Sequence, residues 1–230
     1  MRLISAVFAW LLALVLSVLQ PLAQPADRFD MLVRADFFAG FAGDRDRLAQ
    51  GMAACEKVLT GNPSHAEALV WHGSGLAFQA GAAFAAGQQA HGMDLWTTGM
   101  REVDRAVELA PDSVGVLIPR GAMLLTATRN MPPEMAAPLL KSALANYERV
   151  LGLQRGSWSS LGDHAKGELL FGLAEGYARL GDLNSARTYF AKLVADAPAS
   201  GQATRAQAFL ETGKPPVLPQ NGMTCIGCHQ

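Results

Sequence analysis

The sequence predicts an all-α protein built of repeated helix pairs, set between an apolar leader and a proline-rich tail. Three observations predict it. Alanine is abundant and β-branched residues are few, a balance that favours helix over sheet. From residue 27 to about residue 212, apolar residues recur three and four apart, with Gly, Pro, Asn and Asp between them. Within that stretch one order of small, large and helix-ending residues comes back several times.

Composition sets the outer bounds. The chain has 230 residues, of which 50% are hydrophobic and only 17% charged. About 205 residues remain after removal of a leader, enough for one domain with a sizeable core. A formal net charge of −1, with no basic block, argues against a nucleic-acid partner.

The first element is the leader. Met1-Arg2 opens onto an apolar run over residues 3–19, followed by Gln20-Pro21-Leu22-Ala23. A charged start, an apolar segment and small residues near a cut after Ala23 describe a signal peptide over residues 1–23. The run is slightly long for a signal and slightly short for a membrane span, so an uncleaved anchor is the alternative. In either case the domain is exported.

The clearest repeat covers residues 168–198. It carries Leu170-x-x-Leu173-Ala174-x-x-Tyr177, then Gly181-Asp182, then Ala186-x-x-x-Phe190 and Pro198. Small residues let two antiparallel helices approach, large ones fill the gap between them, and proline ends the second helix. Three copies precede it. Leu69-x-x-His72-Gly73-x-x-Leu76 pairs with Gly99-x-x-x-Val103 and Pro111, and Leu117-x-x-Arg120-Gly121-x-x-Leu124 pairs with Ala143-x-x-x-Tyr147. The first shows Gly51-x-x-x-Cys55 before Asn62-Pro63, with its partner helix expected over residues 28–41. Residues 202–211 read as a closing cap helix.

This pattern resembles the tetratricopeptide repeat. The resemblance implies a right-handed α-solenoid of about four helix pairs over residues 27–213, with a concave face for a protein or peptide partner. The repeats are lengthened. Gly51, Gly99, Ala143 and Ala186 stand 48, 44 and 43 residues apart, against about 34 in the standard repeat. The excess is expected between the paired helices, in a Gly-rich insertion around residues 87–92 and a Pro-rich one around residues 131–133. Lengthened repeats in an exported protein are also similar, more loosely, to the tetratricopeptide component of some TRAP transporters.

After Gly213 the helical period stops. Residues 214–230 begin with a proline-rich, extended tether, Lys214-Pro215-Pro216-Val217-Leu218-Pro219, and close on Cys225-Ile226-Gly227-Cys228-His229. Two thiols with two residues between them can add to the two vinyl groups of one porphyrin, and the adjacent imidazole can ligate its iron. This is the c-type haem attachment pattern. It implies one covalent haem c, with Cys225 and Cys228 as anchors and His229 as the proximal metal ligand. The resemblance to cytochromes c covers the motif and none of their fold. A redox dithiol or a zinc site are the alternatives; the first lacks its usual βαβ setting, and the second needs a fourth ligand.

A second axial ligand has to come from upstream residues or from a partner. His91 is a candidate, in the expected Gly-rich insertion, although a solvated loop histidine is the plainer reading. Met93, Met100, Met131 and Met135 are thioether candidates whose default role is core filling. His72 reads as a satisfied core histidine, and His65 and His164 as surface or capping residues. Cys55 should be a buried small hydrophobe, and Trp71, Trp96 and Trp158 core or groove aromatics, with core the plainer reading.

Two functions follow as expectations. The first is a periplasmic scaffold carrying one haem c, acting in electron transfer or in assembly of a redox complex with a membrane-complex or redox subunit. An open iron site with peroxidase-like chemistry is a minor variant. The second is a haem-free adapter whose tail is a dithiol or metal clip. The sequence contains no hydrolase or kinase motif in a supporting context.

Overall fold

In the computed structural model, residues 28–216 are described. They form nine α-helices joined by short turns: α1 (Phe29–Phe41), α2 (Arg45–Gly61), α3 (Ala66–Ala85), α4 (Gln89–Leu109), α5 (Val114–Ala127), α6 (Pro133–Leu153), α7 (Asp163–Arg179), α8 (Leu183–Asp196) and α9 (Ala203–Thr212). Two 3-10 turns, Thr128–Asn130 and Arg155–Ser160, flank α6. Among the described residues there is no strand, and no helix is long and apolar enough to cross a membrane.

The helices pack as four pairs, α1–α2, α3–α4, α5–α6 and α7–α8, and α9 closes on α8. The odd-numbered helices also pack on one another in chain order, α1 on α3, α3 on α5 and α5 on α7. The arrangement is therefore repeat-like.

Local chemistry explains the boundaries. Three of the four turns inside pairs are alike: a C-cap residue with φ between −81° and −83° and ψ between −3° and 5° is followed by a left-handed glycine, Gly43, Gly87 or Gly181. Asp44, Gln88 and Asp182 then donate their amides back to Ala39, Ala83 and Tyr177 at 2.9 to 3.0 Å. That is the Schellman motif, which satisfies carbonyls a helix end would leave bare. The side chains of Asp44 and Asp182 at once cap the next helix, accepting from Arg47 and Ser185.

Between pairs, proline ends the helix. Asn62, Ala110 and Ala197 adopt nearly the same extended C-cap, with φ near −142°, and each precedes a proline: Pro63, Pro111 or Pro198. The proline ring clashes with a helical residue before it. One residue type thus stops α2, α4 and α8 at equivalent points.

The core forms from the small and large positions of the repeat. Cys55, Val103 and Phe190 are fully buried and Tyr147 nearly so. Gly73 and Gly99 meet face to face: a Cβ on either would lie 2.6 Å from the carbonyl oxygen of the other. The α3 and α4 backbones approach closely because neither position carries a side chain. The main hydrophobic cluster runs from Phe29 to Leu173. A second joins Leu170, Phe171 and Ala174 of α7 to Phe190, Leu193 and Phe209. Each large side chain removed from water contributes about 1.5–3 kcal/mol, so a cluster of this size fixes α8 and α9 on α7.

One expectation is corrected. The excess length of the second repeat does not form a Gly-rich insertion. It lengthens the helices, α3 to 20 residues and α4 to 21, leaving Ala86, Gly87 and Gln88 as a tight turn. The reason is the same Gly87 turn: the apolar period continues on both sides of it, so helix is the lower free-energy state.

Candidate functional site

The fourth turn inside a pair breaks the rule of the other three. Between α5 and α6 there is no left-handed glycine. Thr128 is the αR C-cap of α5, the 3-10 turn Thr128–Asn130 follows, and Pro132 and Pro133 start α6. The end of α5 has to be satisfied by side chains. Buried Thr128 turns its hydroxyl onto the Leu124 and Leu125 carbonyls at 2.8 and 3.0 Å. Arg179, on the last turn of α7, donates to the Leu125 carbonyl at 2.7 Å and to the Thr128 hydroxyl oxygen at 2.9 Å. An arginine of the next repeat takes over what glycine does elsewhere.

A charged cluster is built on that exchange. Arg129 points its guanidinium at Glu175 of α7, with Nε to Oε1 at 3.3 Å and Nη2 to Oε2 at 3.4 Å. Arg179 lies 3.6 Å from the same carboxylate, one helical turn on. The side chains of Arg129 and Glu175 are only 8% and 5% exposed, and that of Arg179 is 22% exposed. Burial holds the Arg179 pKa below its ordinary value, with the neighbouring Arg129 charge pushing the same way and Glu175 opposing.

The cluster opens into a pocket of about 200 Å³. Arg129, Asn130, Glu175 and Arg179 line it, together with Pro215 and Pro216. Helix α9 brings the prolines there. It ends on Gly213, whose left-handed φ of 69° and N–H hydrogen bond to the Phe209 carbonyl turn the chain back towards the α5–α6 turn. The foot of the tail is thus a wall of the pocket. Two guanidiniums and one carboxylate make its formal charge positive.

The haem motif, Cys225, Cys228 and His229, lies outside the described residues, as do the leader over residues 1–23 and most of the tether. His91 is not in a loop: it is the third residue of α4 and exposed. Of the methionines, Met93 and Met135 stand out in solvent at 54% and 59% exposure, whereas Met100 and Met131 pack against the core. Met135 is in the first turn of α6, next to the irregular turn.

Other sequence expectations agree with the structure. His65 is the N-cap of α3, its Nδ1 accepting from Ala68. His164 is exposed on the first turn of α7. Trp71 is fully buried, and Trp96 and Trp158 are half-buried against the core. Trp158 also donates from Nε1 to Asp196 at 2.8 Å, pinning the α6–α7 connection to α8. His72 is half-buried between two carboxylates, Nδ1 at 2.6 Å from Glu102 and Nε2 at 3.6 Å from Glu56. Burial pulls its pKa down, but hydrogen bonds and charge from Glu102 and Glu56 outweigh this and raise it. Cys55 is pushed up to about 12 by burial, then by Glu102 and Glu56. It is inert as a nucleophile near neutral pH. Among the described residues no group of three or more His, Cys, Asp or Glu could hold a metal ion.

The repeat pattern did not single out Arg129, Glu175 and Arg179. Two signals were present: the missing glycine after α5, and a glutamate inside the apolar run of α7.

Fold and site together define a class: an all-helical, repeat-like body with a basic pocket at the foot of its C-terminal tail. Compared with known protein families the chain matches none, and no curated protein is significantly similar to it.

Proposed function

We propose that this chain is an exported, tetratricopeptide-like scaffold carrying one covalent haem c on its C-terminal tail, working in electron transfer or in docking within a periplasmic redox complex. The finer architecture belongs to the proposal: a right-handed solenoid of about four lengthened pairs with α9 as cap. Cys225-x-x-Cys228-His229 carries the functional reading. The body supports it in one way: the pocket at the tail's foot suits the anionic edge of a haem, since guanidinium pairs well with carboxylate.

On this reading Cys225 and Cys228 hold the porphyrin by thioether bonds and His229 presents its imidazole to the iron. When bound, the haem supplies a one-electron centre. The repeat body would present the surface on which a redox or membrane-complex partner docks.

The test is direct. The full chain is expressed in a host with cytochrome c maturation, denatured, and examined by in-gel haem stain and pyridine haemochrome spectrum. Haem is expected to stay bound, and replacing Cys225 and Cys228 with Ala should remove it while the helical circular dichroism stays the same. A colourless product despite working maturation machinery would sink the proposal and leave the haem-free adapter, with a dithiol or metal clip as its tail.

A further inference from the structure

The geometry points to the Arg129–Arg179 pocket as a clamp for the carboxylate side arms of the haem carried on residues 225–229, holding that haem against the α5–α6 edge of the repeat body. The inference rests on the haem reading and goes further by assigning the haem a place and two binding residues.

Three observations carry it. The first is position: Pro215 and Pro216 form part of the pocket wall, so the tail leaves the body at the pocket itself. Cys225 lies nine positions beyond Pro216, an extended reach of about 28 Å. A haem on this tail can swing back to the pocket, and a tether of that length holds it there at an effective concentration on the order of millimolar. A modest clamp is therefore enough.

The second is charge. Two arginines and one glutamate line the pocket, a positive balance in a half-buried setting where a carboxylate is attracted more strongly than in water. A charge-assisted hydrogen bond from a guanidinium to a carboxylate is roughly twice as strong as a neutral one. The third is size. At about 200 Å³ the pocket is smaller than the roughly 300–1,000 Å³ of sites that enclose whole ligands. It suits the carboxylate arms rather than the whole macrocycle.

The experiment uses the haem-loaded full chain. Two variants are made, Arg179→Gln, and Arg129→Gln combined with Glu175→Gln so that the buried pair is removed together. Soret-region circular dichroism reports a haem fixed in chiral surroundings, and thermolysin cleavage of the tail reports its release. In both variants the Soret signal should more than halve and tail cleavage should quicken about tenfold, the loss of one charge-assisted contact, with the haem stain unchanged. Haem-loaded variants with wild-type dichroism and cleavage rate would overturn the clamp while leaving the haem reading intact. A colourless wild-type protein would overturn both. Should the variants fail to fold, the wild-type holoprotein is titrated with NaCl and with succinate: a falling Soret signal supports the clamp, and a flat one overturns it.

Discussion

The facing glycines of α3 and α4 allow a quantitative test of the fold. In Gly73→Ala the new methyl would stand 2.6 Å from the Gly99 carbonyl oxygen and 2.9 Å from a Val103 methyl, where real contacts essentially never fall below 3.0 Å. The carbonyl belongs to a helix backbone and cannot rotate away, so the two helices have to part by several tenths of an ångström. Overpacking of this kind costs about 1–3 kcal/mol, against a gain of about 1 kcal/mol for alanine over glycine inside a helix. We expect a net loss of about 1 kcal/mol, a fall in Tm of about 3 °C for a domain of this size. Gly99→Ala should behave alike. The double variant should cost about 1 kcal/mol less than the sum, because one separation of the helices relieves both clashes. Gly81, also in α3, has open space around its Cβ position and serves as control: Gly81→Ala should stabilise by about 0.5–1 kcal/mol. Urea and thermal unfolding followed by far-UV circular dichroism measure all four. If Gly73→Ala matches or exceeds the wild type while Gly81→Ala is stabilised, the helices are not in backbone contact and the pairing is wrong.

Three further outcomes are expected. His72 has a folded-state pKa raised above its ordinary 6.5, so its contribution to stability is full below pH 6.5 and fades as pH rises through the folded value; the advantage of wild type over Glu102→Gln in denaturant melts should therefore be larger at pH 6 than at pH 9. Glu175→Gln leaves the Arg129 and Arg179 charges facing each other in a buried site and should cost about 3 kcal/mol; a loss near zero would mean that water screens the cluster. Thiol titration separates the two functional readings, because the chain has three cysteines and Cys55 is buried with its pKa pushed up to about 12. The native protein should react slowly at Cys55, and denaturation should release one thiol if haem occupies Cys225 and Cys228, three after reduction if it does not.

Much of the helical body was legible because its determinants are local or periodic. Gly51, Gly99, Ala143 and Ala186 mark the close approaches, and Cys55, Val103, Tyr147 and Phe190 fill them, at a spacing set by helix geometry. Proline after Asn62, Ala110 and Ala197 gives the helix ends. The segment around Gly87 was harder, since glycine signals a turn without saying how far the helices beside it extend; α3 and α4 simply continue up to it. The Arg129–Glu175–Arg179 cluster was least legible. Its members lie 46 and 50 residues apart from Arg129, and only the stacking of α7 on α5 brings them together. A contact made by tertiary packing leaves no periodic trace.

Helix α7 has a further consequence, as the wall shared by two cores. Leu169 and Leu173 belong to the large cluster, and Leu170, Phe171 and Ala174 to the small one. The body is therefore divided into a six-helix block and a carboxy-terminal flap of α8 and α9, hinged along α7. Opening the flap exposes one small cluster and leaves the larger one closed, which makes it the cheaper of the two sub-global openings. Because α9 leads directly into Pro215 and Pro216, the same opening draws the foot of the tail out of the arginine pocket.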